Sequence, residues 1–220
     1  SDGRFALGIG AGDRPLLALG YKPATLARLE GAISAMRQLW DGGHVTFEGD
    51  GFRLDDAHMR EPAQRQVPIY MSASGPKTLT LAGRVADGVI LLAGLHPEGL
   101  TWALDHIDRG VEEAGRSARP KITVFAYGAI SDDEQAAYEA GRSIAAWFPQ
   151  TAPAYCEMAG LPRELVDRVR KIYEGGEFQE ADDAAALLPE DFVHRMALAG
   201  GPDRARQHIK NISELGVDCI

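Results

Sequence analysis

The chain has 220 residues, 45% of them hydrophobic and 25% charged, a composition typical of a globular protein rather than a disordered, collagenous or disulfide-rich one. Its formal net charge of −9 argues against a nucleic-acid partner. No apolar run approaches the roughly 18 residues that a membrane-spanning helix needs, so the sequence also argues against a membrane protein.

The cysteines and the chain ends bear on location. Cys156 and Cys219 are far apart and form no CxxC pattern, so we expect no disulfide framework and a reducing, cytoplasmic environment. The chain begins at Ser1 without a charged leader and ends at Ile220 in a strand-like segment. We therefore expect no signal peptide, and we expect an internal piece of a longer chain.

The first quarter of the chain predicts a strand, a helix and a hairpin. The apolar run at residues 5–10 is typical of a strand buried on both faces. Apolar residues at helical spacing predict a helix over 23–40. Two β-rich runs around Gly49 and Asp50 predict a hairpin over 45–54.

Strands and helices then alternate. The predicted strands cover 67–71, 88–92, 121–130 and a segment that begins near Val217. Two helices are predicted over 76–85 and 97–114. A further helix runs from a capping box at 131–134 towards Trp147, and a last one runs from Pro202 to a cap at Gly216. Residues 149–190 break this rhythm, and we interpret them as an insertion. Repeated βα units predict a parallel sheet, either open and doubly wound or part of a (β/α)8 barrel, with function at the carboxyl ends of the strands.

The first strand end is a glycine-rich loop over residues 8–13. Glycines allow a ligand to approach the backbone closely because no Cβ intervenes. The loop fails as a dinucleotide fingerprint, because Pro15 and Pro23 delay the helix and Glu30 falls inside it. A tight turn remains the alternative. Asp13 is the loop's one carboxylate, an acid/base group or the cap of a short turn.

The second strand end leads into a helix N-terminus, where free N–H groups and the helix dipole attract anions. Ser74, Gly75, Lys77 and Thr78 together predict a phosphate site. The segment is not a P-loop, because Pro76 occupies the expected lysine position. A capped helix with a solvated Lys77 remains the alternative.

The third strand end, over residues 91–97, is mostly apolar and predicts a hydrophobic wall of a ligand pocket. Its lone His96 is either a ligand contact or a solvated or capping group. The six histidines show no metal-ligand spacing, so we expect no metal. No GxSxG motif offers a hydrolase nucleophile.

These segments resemble a known family. Residues 3–13 resemble the fourth-strand motif of the bacterial luciferase-like superfamily, and residues 68–77 and 81–89 resemble its next strand and helix. Residues 199–203 and 216–218 are similar to the approach to its eighth strand. The two glycine-bearing motifs resemble in particular the methylenetetrahydromethanopterin reductase-like branch, which uses the deazaflavin coenzyme F420.

The resemblance implies an incomplete (β/α)8 barrel over residues 1–220, with strands four to eight present and the insertion before the last strand. Separately, charged and apolar residues alternate along a helix predicted over 163–173, so we expect it to pack on a partner subunit in a homodimer. The resemblance also implies that Ala11 and Gly12 line the deazaflavin ring or its tail. The phosphate-bearing tail would be held by Ser74, Gly75, Lys77 and Thr78. Asp13 stands where a family member carries a glutamate proposed as proton donor.

The implied activity is hydride transfer between coenzyme F420 and a small molecule. Leu92 and Leu95 stand where the F420-linked glucose-6-phosphate dehydrogenase has polar and basic groups, so we expect an apolar substrate. FMN is the alternative cofactor, and with it the site would serve a monooxygenase. Two further alternatives are a non-catalytic barrel subunit and a phosphate-binding isomerase of the same architecture.

Overall fold

The computed structural model describes residues 3–12, 14–174 and 181–220. Its strands are β1 (Leu7–Ile9), β2 (Val45–Gly49), β3 (Phe52–Ala57), β4 (Ile69–Ala73), β5 (Gly88–Leu91), β6 (Lys121–Val124), β7 (Gly128–Ile130) and β8 (Leu198–Gly200). Its helices are α1 (Arg14–Ala18), α2 (Leu26–Trp40), α3 (Pro76–Val85), α4 (Pro97–Glu113), α5 (Glu134–Ala145), α6 (Phe148–Thr151), α7 (Pro153–Met158), α8 (Arg163–Ile172), α9 (Asp182–Ala185), α10 (Glu190–Met196) and α11 (Pro202–Ser213). Among the described residues, no helix combines the length and the apolarity that crossing a membrane requires.

The chain forms two compact units. The first runs to Ile90 and includes His106–Lys121; the second comprises Leu91–Asp105 and Ile122–Ile220. Two strands and a helix, β5, β6 and α4, contribute residues to both.

The first unit is built on parallel strands. β1 and β4 pair in parallel, with Leu7 opposite Ile69 and Ile9 opposite Met71, and β5 is the next neighbour of β4. Ile69 and Met71 are completely buried, which explains why β4 is largely apolar. The prediction that the first strand is buried on both faces is wrong, because Leu7 and Ile9 are half-buried and Gly8 is exposed. The parallel pairing predicted for the first two strands is confirmed.

Helix α3 packs directly against the second half of α4. A Cβ on Gly83 would collide with the carbonyl oxygen of Ile107, and a Cβ on Gly110 would collide with that of Thr80. The two helices therefore approach at their backbones, and side chains larger than hydrogen have no room at this crossing. Pro76 opens α3 as predicted, since its missing N–H is not needed in the first turn.

The predicted hairpin is confirmed. β2 and β3 are antiparallel, with Phe47 opposite Leu54 and an irregularity between Val45 and Phe47. The preceding helix α2 begins later than the predicted residue 23, because Thr25 is its N-cap and accepts the N–H of Arg28 at 3.1 Å.

The second unit contains a further parallel pair, β7 and β8, with Gly128 opposite Leu198 and Ile130 opposite Gly200. Thr123 of β6 forms a parallel bridge to Cys219, and the carboxylate of Asp218 accepts the N–H of Ile122 at 2.7 Å. The predicted terminal strand is therefore present as a single bridge within the described residues.

Two predictions about this unit are wrong. The strand predicted over 121–130 is divided into β6 and β7, because residues 128–130 pair with β8 in a separate sheet instead of extending β6. The cap of α5 is Asp133, which accepts the N–H of Ala136 at 3.1 Å, and Ser131 instead accepts the N–H of Asp133. The interpretation of residues 149–190 as an insertion stays a prediction.

Candidate functional site

The carboxyl ends of β1 and β4 lie at the same edge of the first unit's sheet, because the two strands are parallel and in register. The loop that follows β1 lies against the end of β4. A Cβ on Gly10 would stand 3.3 Å from the Cβ of Ser72, closer than most Cβ contacts, so glycine allows the two strand ends to approach.

The loop after β1 holds its shape through glycine geometry and one backbone hydrogen bond. Gly12 is exposed and adopts a φ of +79°, a left-handed conformation that side chains rarely take, and a Cβ there would collide with Leu16. The carbonyl of half-buried Ala11 accepts the N–H of Ala24 at 2.7 Å. Asp13 lies outside the described residues, so its predicted catalytic role stays a prediction.

The loop after β4 ends at the N-terminus of α3. Gly75 is the N-cap in extended conformation, with φ −82° and ψ 155°, and it has no side chain to accept the first-turn N–H groups. Those groups belong to Lys77 and Thr78, since Pro76 has none. Among the described atoms, a Cβ on Gly75 would meet only the Oγ1 of Thr78, at 3.8 Å, so the described residues leave room at this position. The helix dipole favours an anion there.

The sequence-predicted residues are therefore divided between two places on the first unit. Ala11, Gly12, Ser74 and Gly75 lie in the two loops at the strand ends, with Thr78 in the turn that follows. Lys77 lines a groove of about 310 Å³ along α3, in which neither Ala11 nor Gly12 takes part. Burial of either loop glycine beneath packed side chains would have excluded a ligand, and the structure shows Gly12 exposed and Gly75 half-buried.

The second unit holds a polar cavity of about 420 Å³ that includes His96. The imidazole is buried, and its Nδ1 accepts the N–H of Gly99 at 3.1 Å. His96 thus caps the first turn of α4, one of the two alternatives for this residue, but it is not solvated. Burial lowers the pKa of His96, since the charged form would lose its hydration.

Sequence reasoning missed the partners of this cap. Arg195 donates to Glu98 at 2.7 Å, and this hydrogen bond is the main reason that the pKa of Glu98 falls to about 2. His208 donates through Nε2 to the carbonyl of Leu95 at 2.8 Å, and the N–H of Leu95 binds the carbonyl of Arg195. The partners are about a hundred residues apart in sequence, so no local pattern could have linked them.

Other chemistries find little support in the described part of the chain. No group of three or more histidine, cysteine, aspartate or glutamate side chains there could hold a metal ion. Cys156 and Cys219 are free thiols, and burial raises the pKa of Cys156 far above its usual range.

Comparison with known proteins gives a consistent result. Residues 1–219 match the family model described as luciferase-like monooxygenase. The chain is 33% identical over 227 residues to a 5,10-methylenetetrahydromethanopterin reductase of Archaeoglobus fulgidus, covering 99% of this chain and 66% of that protein. It is 42% identical over 120 residues to an F420-dependent glucose-6-phosphate dehydrogenase of Nakamurella multipartita, covering 52% of this chain and 35% of that protein.

A solved structure agrees. The coenzyme F420-dependent tetrahydromethanopterin reductase from Methanopyrus kandleri superposes with a TM-score of 0.85 at 26% identity, covering all of this chain and 68% of that one. The chain spans about two thirds of the length of the methylenetetrahydromethanopterin reductases that it matches.

Proposed function

Because the chain belongs to the luciferase-like monooxygenase family, we propose that it is an oxidoreductase that binds coenzyme F420 where β1 and β4 end. The observation that carries this proposal is the pairing of β1 with β4, which brings two glycine-bearing loops and the open N-terminus of α3 to one edge of the sheet. This luciferase-like fold agrees with the resemblance inferred from the sequence.

The residues present suit the anionic part of the coenzyme. Gly75 leaves the end of α3 uncovered, and the first-turn N–H groups of Lys77 and Thr78 have no capping side chain from Gly75. A phosphate accepted there would receive backbone hydrogen bonds and the favourable end of the helix dipole. The half-buried Ser74 and Thr78 add hydroxyl groups beside this position.

The glycine-bearing loop after β1 suits the flat part of the coenzyme. Gly12 is exposed with a conformation that side chains rarely take, and a Cβ on Gly8, in the middle of β1, would meet none of the described atoms within 4 Å. A planar ring can therefore approach the backbone at Gly8 without meeting a described side chain, whereas the side chain of Leu16 already lies against Gly12. We propose Ala11 and Gly12 as its contacts and Asp13 as the proton donor or acceptor.

When bound, the deazaflavin would supply the hydride chemistry, and the protein's part is to bind, orient and exclude water. The α3 N-terminus would hold the tail at a fixed distance from the loop after β1, because both follow strands whose register is set by backbone hydrogen bonds. The substrate that we propose is a small apolar molecule, because residues 91–97, the third strand end of the sequence, are mostly apolar. A homodimer in the cytoplasm remains part of the proposal.

A binding experiment tests the proposal. The purified protein is titrated with coenzyme F420 and, separately, with FMN, and bound cofactor is measured by fluorescence and by co-elution in gel filtration. We expect saturable binding of F420 and weaker or absent binding of FMN. Binding of FMN alone would favour a flavin-dependent monooxygenase, and binding of neither would favour the non-catalytic subunit.

A further inference from the structure

One groove of the first unit extends beyond the phosphate site proposed above. We call it the α3 groove. It runs along α3 between α2 and α4, has a volume of about 310 Å³, and is lined among others by Glu30, Pro76, Lys77, Arg84, Arg109 and Glu113. It begins beside the N-terminus of α3, where the phosphate is proposed to bind. From Pro76 to Arg84 it follows the helix for about 12 Å, given a rise of about 1.5 Å per residue.

The groove carries a positive charge although the protein is acidic. It is lined by three cationic side chains, Lys77, Arg84 and Arg109, and by two carboxylates, whereas the formal net charge of the whole chain is −9. Arg84 and Glu30 neutralise each other in an ion pair. Within the described residues, Lys77 and Arg109 have no ion pair or side-chain hydrogen bond. Two uncommitted cations therefore face a single uncommitted carboxylate, Glu113.

We propose that the α3 groove binds the part of the F420 tail that lies beyond its phosphate, a segment that carries carboxylates. This inference rests on the proposed function, since it needs the phosphate at the end of α3. Lys77 belongs to both places, because its N–H lies in the first turn of α3 and its side chain lines the groove. A tail leaving the helix end along α3 would meet Lys77 first and Arg109 on the facing helix.

Arg109 is the residue that this inference adds. It lies on α4 beside Gly110, where the close crossing of the two helices places its side chain at the wall of the groove. Its guanidinium is exposed, so its attraction for a carboxylate is partly screened by solvent and salt. The contribution should be modest for one residue and should decrease as ionic strength rises.

The test compares coenzyme F420 with its tail-less form, 8-hydroxy-5-deazariboflavin, on the wild type and three variants. Arg109→Gln should lower the affinity for F420 by about threefold to fivefold and leave the affinity for the tail-less form unchanged. Glu113→Gln should raise the affinity for F420 by about twofold, because it removes the opposing charge. Arg53→Gln is the matched control: Arg53 is exposed on β3 and lies outside the groove, so neither affinity should change.

The outcomes separate this inference from the proposed function. Equal effects of Arg109→Gln on both compounds, or no effect on either, would overturn the tail-binding groove while leaving the cofactor site intact. A failure of the wild type to bind either compound would overturn both. Circular dichroism and thermal unfolding of each variant exclude a general loss of structure, which is not expected for substitutions of exposed residues.

Discussion

Asp87 and Ile69 bind each other at two points. The carboxylate Oδ2 of Asp87 accepts the N–H of Ile69 at 2.8 Å, and the carbonyl of Ile69 accepts the N–H of Asp87 at 2.9 Å. The same Oδ2 receives the guanidinium of Arg37 at 2.9 Å. Because Ile69 begins β4 and Asp87 immediately precedes β5, this pair positions the start of one strand against the other.

Replacing Asp87 with alanine should therefore destabilise the fold. The variant leaves the N–H of Ile69 and the guanidinium of Arg37 without their acceptor in a half-buried place, and we expect a loss of about 1–3 kcal/mol in the free energy of unfolding. Urea denaturation measures it. Asp55→Ala is the control, since Asp55 is exposed and its nearest partner, Arg53, is 3.6 Å away. Equal midpoints for the two variants would contradict the role of Asp87.

The crossing of α3 and α4 gives a second stability prediction. Gly110→Ala places a methyl group against the carbonyl of Thr80, a backbone atom that cannot rotate away. Overpacking of this kind costs about 1–3 kcal/mol, more than the helix propensity gained from alanine. Thermal unfolding should show a lower midpoint for Gly110→Ala and an unchanged one for Ser34→Ala, an exposed helical position. A higher midpoint for Gly110→Ala would show that the helices separate without penalty.

Acid should weaken the contact between Glu98 and Arg195. The hydrogen bond from Arg195 lowers the pKa of Glu98 from 4.5 to about 2. A carboxyl whose pKa is lower in the folded state stabilises the protein above the unfolded pKa, and this contribution is lost as the pH falls from about 4.5 towards 2. Glu98 is more than half exposed, so solvent screening limits the effect at neutral pH to a few tenths of a kcal/mol.

The variant Glu98→Gln should therefore flatten the loss of stability between pH 5 and pH 2. Urea midpoints measured across that interval test this, with Glu112→Gln on the same helix as the control. Parallel pH profiles for the wild type and Glu98→Gln would show that the pair contributes nothing.

The fold could be predicted in the regions where the local sequence pattern determines the secondary structure. Helix α3 begins and ends at its predicted residues, because Pro76 opens it and the apolar residues repeat at helical spacing. Strands β1, β4 and β5 were recognised from short apolar runs, with boundaries within about two residues. The hairpin followed from the turn residues Gly49 and Asp50.

The prediction of secondary structure failed where the structure of a segment depends on its pairing with a distant segment. β7 and β8 have three residues each and pair across about seventy residues of sequence, so neither carries a strand pattern of its own. The partners of Glu98 and Leu95 come from α10 and α11 for the same reason. Of the candidate site, the two loops could be predicted because glycine and the helix start are local signals. The position of the Lys77 side chain could not, since it depends on the packing of α4.

The most direct test of the candidate site is to enlarge the side chain at position 75. Gly75→Ala adds a methyl group that would meet, of the atoms that the structure describes, only the Oγ1 of Thr78, at 3.8 Å, so the fold should tolerate it. Gly75→Val adds further bulk where the tail phosphate is proposed to bind, and it should weaken F420 binding by about tenfold or more, as expected when charge-assisted hydrogen bonds to backbone N–H groups are lost. Alanine should have an intermediate effect. Fluorescence titration measures the affinities, and thermal unfolding shows whether the variants remain folded. Wild-type affinity in a folded Gly75→Val protein would mean that the phosphate does not bind at the end of α3.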